Sequence, residues 1–96
     1  MEVLSIVDYK QHVAKSISDF LVEQLDLRSL TVSSLTVILN RNGMSITPKS
    51  IHAWIAGTST PKAEHVLGLA DYFGTSTDEI LGAYADEFYE EETDEG

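Results

Sequence analysis

The chain has 96 residues, 43% of them hydrophobic, with no cysteine, 16 acidic and 6 basic side chains and a formal net charge of −10. That length supports one modest core, and the lack of cysteine excludes a disulfide framework and a thiolate zinc site. Apolar runs of only a few residues exclude a membrane span, and no basic stretch followed by an apolar one marks a secretory signal, so a cytoplasmic protein is expected.

Residues 5–25 read as an amphipathic helix, with Ile6, Tyr9, Val13, Ile17, Phe20 and Leu21 recurring at three- and four-residue steps. Ser5 and Asp8 resemble a capping box with Asp in place of Glu. Lys10, Lys15, Asp19 and Glu23 fall off the stripe, either as a solvated face over the core or as a dimer or phosphate contact. Residues 31–42 are locally ambiguous: Val32, Thr36, Val37 and Ile38 are β-branched. Thr31 and Asn42-Gly43 nevertheless suit the two ends of a helix.

Residues 48–56 are clearer. Thr47 can cap, Pro48 suits the first helical position and Gly57 the stop. A helical wheel gathers Ile51, Trp54 and Ile55 on one side and turns Lys49, His52, Ala53 and Ala56 away, with Ser50 on the flank. Trp54 therefore reads as core in preference to a stacking platform. A polar turn at 58–61 leads to helical spacing over 62–73, through Val66, Leu67, Leu69, Ala70 and Phe73. Ser76 and Glu79 form a capping box opening a short helix through Ile80 and Leu81. Beyond Gly82, Tyr84, Phe88 and Tyr89 either extend that helix onto a second subunit or belong to a frayed end. The expected organisation is an all-α domain of five helices over residues 1–85, with residues 86–96 as an acidic, disordered tail.

Charge is distributed unevenly along this plan. Residues 27–63 contain no Asp or Glu, four of the six bases (Arg28, Arg41, Lys49 and Lys62) and eleven Ser or Thr hydroxyls. Seven of the 16 acids lie within 86–96. A basic, hydroxyl-rich segment in an acidic chain is a candidate polyanion-binding surface.

Residues 30–82 resemble the helix-turn-helix domain of phage repressors and related Xre/Cro-type regulators. Leu30-Thr31-Val32-Ser33-Ser34-Leu35 is similar to the opening of that family's second helix, and Ile51-His52-Ala53-Trp54-Ile55-Ala56-Gly57 to the end of its recognition helix. Pro61 followed by Val66-Leu67-Gly68-Leu69-Ala70 resembles the fourth helix. Phe73-Gly74-Thr75-Ser76-Thr77-Asp78-Glu79-Ile80-Leu81-Gly82 follows the closing motif. The chain departs from the pattern at Val32, where the family carries a Gln, and in a turn between Leu39 and Ile51 about five residues longer than the common form. The resemblance implies a five-helix, lambda-repressor-like fold and settles residues 31–42 as helix.

It also implies a recognition helix at about 48–56 in the major groove of double-stranded DNA, with the preceding helix against the backbone. Thr47, Lys49, Ser50, His52 and Ala53 are then the expected base contacts. Ser33, Ser34, Arg41, Ser45 and Lys62 are the expected phosphate contacts, with Arg28 a weaker one. Ile80, Leu81, Tyr84 and Phe88 are the expected dimer contact. The function expected is a sequence-specific transcriptional regulator, a homodimer associated with the nucleoid when bound. The competing expectation is an antitoxin-like or regulator-binding protein-interaction module, its DNA binding weak or blocked by the acidic tail, which would itself meet a basic protein partner. His12, His52 and His65 lack metalloprotease spacing and there is no glycine-rich phosphate loop, so neither catalysis nor a cofactor or metal is expected.

Overall fold

A computed structural model describes residues 6–83, with side chains from Tyr9 onward. Five helices follow one another: α1 (Ile6–Arg28), α2 (Val32–Arg41), α3 (Pro48–Ala56), α4 (Ala63–Phe73) and α5 (Thr77–Leu81). The described residues form no strand. The all-α expectation holds, while the expected cap at Ser5, the tail at 86–96, Tyr84 and Phe88 lie outside the described residues.

Capping chemistry sets most of the boundaries. Thr31 Oγ1 accepts from Ser34 N at 3.0 Å and Thr47 Oγ1 from Ser50 N at 3.4 Å, each occupying one of the four amides a helix start leaves unpaired. Pro48 loses nothing at the first position of α3, where its missing N–H has no intrahelical acceptor. Ser76 Oγ accepts from Glu79 N at 3.1 Å, but the reciprocal half of the expected box is replaced: the Glu79 carboxylate accepts instead from Thr75 Oγ1 at 2.8 Å.

α1 runs three residues further than the apolar spacing predicts. Its stop is Ser29, a non-glycine residue at φ +54°. Ser29 N bonds Asp26 O at 3.2 Å and Leu30 N bonds Leu25 O at 2.9 Å, the paired closure of a Schellman motif built without glycine.

The core joins all five helices. Ile17 and Leu21 of α1 meet Leu35 and Leu39 of α2, Ile51 and Trp54 of α3, Val66, Leu69, Ala70 and Phe73 of α4, and Ile80 of α5, with Ile46 added from the long turn. Helical spacing alone would put Leu67 with this group; it lies instead on the solvent side of α4, 63% exposed. α1 packs across α3 and α5, and α2 across α3 and α4.

α1 also supplies polar side chains to the ends of the other helices. Ser18 Oγ donates to Ile55 O at 2.6 Å, Ser16 Oγ to Ile80 O at 2.8 Å and His12 Nε2 to Gly82 O at 2.9 Å. Arg28 Nη2 donates to Phe73 O at 3.3 Å, and its guanidinium lies over the Phe73 ring, 4.9 Å from the centroid. These acceptors are carbonyls at or just past the C-terminal ends of α3, α4 and α5, where the last-turn carbonyls of a helix lack intrahelical partners. Gly82, at φ +81°, also allows close approach, because a Cβ there would lie 2.7 Å from both His12 Nε2 and Ser16 Oγ.

Candidate nucleic-acid interface

The α3 helix presents the face expected from its sequence. Ile51 and Trp54 are buried and Ile55 is half-buried on the core side. Lys49, His52 and Ala56 are exposed, while Ser50 and Ala53 are half-buried on the flanks. The Ser50 hydroxyl lies 3.4 Å from Thr47 Oγ1, so two of the expected base-reading groups share one cap. Trp54 sits in the core with its ring 5.8 Å from that of His65, as its spacing predicts.

The expected phosphate contacts occupy both ends of α2 and the turns beside α3. Ser33 and Ser34 are exposed in the first turn of α2, with Ser34 Oγ accepting from Thr31 Oγ1 at 3.0 Å. Arg41 closes α2, Ser45 lies in the turn, and Lys62 precedes α4; all three are exposed. Seven to eight residues of α2 at about 1.5 Å each put its serines and Arg41 roughly 11 Å apart along the helix axis. Val32, at the position where the resembled family carries Gln, is half-buried and packs against the core.

The electrostatics separate cations that look alike in the sequence. Arg41, Lys49 and Lys62 have no acidic partner among the described residues, whereas Lys15 pairs with Asp19 at 2.9 Å. Arg28 is committed to Gln24 Oε1, to Phe73 O and to the Tyr72 and Phe73 rings. It is a structural cation of the α1–α4 contact, and the stretch offers three available cations in place of four.

Helix ends differ in the same sense. The first turns of α4 and α5 carry Glu64 and Asp78-Glu79, which complement the positive end of the helix dipole. The first turns of α2 and α3 carry no acid. Their hydroxyl caps leave amide donors and a positive end uncompensated, and such ends accept anions.

One expectation needs revision. Ile80 has no exposed surface, so it fills the core instead of meeting another subunit. Leu81 is half-buried against that core. The group that sequence reasoning misses is Asn40, near the end of α2. Its Nδ2 donates to Ile46 O at 2.8 Å and its Oδ1 accepts from Ile46 N at 2.9 Å. Asparagine is disfavoured in helix interiors because its amide competes for backbone groups, and an Asn just before a long turn is the available signal.

Among the described residues no cluster of three potential metal ligands occurs, and no helix is long and apolar enough to cross a membrane. Comparison with protein-family models, curated proteins and solved structures finds no match for this chain.

Proposed function

We propose that the protein is a lambda-repressor-like, helix-turn-helix DNA-binding regulator in which α3 enters the major groove and α2 lies against the phosphate backbone. One observation carries this reading. The two acid-free helix starts, at α2 and α3, belong to the same 37-residue stretch as Arg41, Lys49 and Lys62, which have no acidic partner among the described residues. Phosphates favour such positive ends and cations. The small side chains of Ala53, half-buried on the flank, and Ala56, exposed, permit close approach to base edges, and Lys49 and Ser50 supply hydrogen-bonding groups suited to them. Two copies reading half-sites about one helical turn apart would give the contact area that a single domain lacks.

Selection of bound sites from a random duplex pool tests this directly, with a palindromic consensus expected. A salt titration adds a number. Three cations per subunit give a log–log slope of about −5 for a dimer. Failure to bind any duplex, with or without residues 86–96, removes the proposal. The net charge of −10 and the seven acids of the tail would then favour a module for a basic protein partner.

A further inference from the structure

The turn between α2 and α3 has two halves held in different ways. Its first half is tied to α2 by backbone bonds: Asn42 N to Ile38 O at 3.2 Å, Gly43 N to Asn40 O at 3.2 Å and Met44 N to Leu39 O at 3.1 Å. From Ser45 to the start of α3 no such bond connects the chain back to α2 among the described residues. Ile46 carries the connection in this half. Its side chain is buried, 8% exposed, and both of its backbone polar groups are satisfied by the single amide of Asn40.

An amide that donates to the carbonyl and accepts from the N–H of one residue fixes direction as well as distance. Burial of the Ile46 side chain sets how deep the chain lies, and the Asn40 amide, bonded to the peptides on both sides of the Ile46 Cα, sets how the backbone is turned there. Thr47, the cap of α3, is the next residue, and Lys49 follows two residues later. Core packing through Ile51 and Trp54 anchors the body of α3. The start of the helix, where the expected base contacts lie, is set through Asn40.

We propose that Asn40 is a positioning residue for DNA discrimination, an inference that rests on the DNA-binding reading above. Contacts to phosphate tolerate small shifts and follow total charge. Contacts to base edges require placement within about half an ångström. Loss of the Asn40 clamp therefore weakens selective binding while leaving non-selective binding intact.

The test uses the full chain, a duplex selected by it from a random pool, and a random-sequence duplex as control. Asn40→Ala removes both bonds. Asn40→Asp keeps the acceptor for Ile46 N and sets a carboxylate against Ile46 O. Both variants are expected to keep their helical circular dichroism and to speed hydrogen exchange at the Ile46 amide. Affinity for the selected site should fall roughly tenfold or more in both variants. In Asn40→Ala, which leaves the charge unaltered, random-duplex affinity and the salt slope should stay within about twofold, whereas the added carboxylate of Asn40→Asp should weaken random-duplex binding as well. Unchanged preference for the selected site in a folded variant overturns the positioning role and leaves the DNA-binding reading standing. Loss of fold in both variants assigns Asn40 to stability and overturns it too. A wild-type chain that binds no duplex overturns the DNA-binding reading itself, and the proposal with it.

Discussion

The Ser18 hydroxyl donates to the carbonyl of Ile55 across 2.6 Å, joining the middle of α1 to the last turn of the helix proposed to read DNA. Ser18→Ala leaves that carbonyl without its partner. A single such bond contributes about 1 kcal/mol, which for a domain of this size lowers Tm by about 4–8 °C. Thermal denaturation followed by circular dichroism checks this. An unchanged Tm would show that water replaces the hydroxyl without loss.

Ser29 closes α1 in a left-handed conformation that costs a non-glycine residue about 1–2 kcal/mol. Glycine removes that strain, although it adds about 0.5–1 kcal/mol of entropy loss on folding. Ser29→Gly is therefore expected to stabilise the domain by roughly 0.5–1 kcal/mol. Urea denaturation should show a higher midpoint with an unchanged slope.

Lys49 and Arg28 should respond differently to removal. Lys49→Ala takes away one exposed cation per subunit, so the salt slope for random duplex should become about 2 units shallower in a dimer, with Tm unchanged. Arg28→Ala removes a bond to Phe73 O and a guanidinium packed on its ring, so it should lower Tm and leave the slope alone. Equal slopes for Lys49→Ala and the unmodified chain would remove Lys49 from the interface.

Seven carboxylates in residues 86–96 oppose a surface with three available cations. Deleting these residues should tighten binding to random duplex, most of all at low salt where the Debye length is longest. Gel shifts at about 50 and 200 mM salt make the comparison. No gain at the lower salt would rule out competition between the tail and DNA.

Local chemistry at their ends made α3, α4 and α5 legible: Thr47 with Pro48 before α3, Ser76 before α5, and Gly57, Gly74 and Gly82 at the three stops. Apolar spacing gave α1, whereas α2, capped by Thr31 but rich in β-branched residues, was settled as helix only through the family resemblance. The features that escaped depend on residues far apart or on unusual backbone. Ser29 gives no glycine signal for its turn. Ile80 and Leu81 form an apolar pair on a five-residue helix, too short for periodicity to say which of the two faces inward. Arg28, Arg41, Lys49 and Lys62 are equivalent in composition, and only the neighbouring Phe73 and Tyr72 set Arg28 apart. In the proposed interface, the outward face of α3 follows from Pro48 and the wheel, whereas the Asn40 clamp spans a turn whose path no spacing rule describes.

The side chains of α1 bear on what the smallest independent form of this protein can be. Carbonyls of Ile55, Phe73, Ile80 and Gly82 receive their side-chain donors from α1, and Ile17 and Leu21 fill the space between the other helices. Removing α1 would strip three helix ends and the centre of the core in one step. A fragment covering 30–83, although it holds every residue of the proposed reading surface and of the turn before it, would keep helical content without fixed packing. Its losses would come together, so excision at the apparent motif boundary would yield a fluctuating chain instead of a smaller working domain.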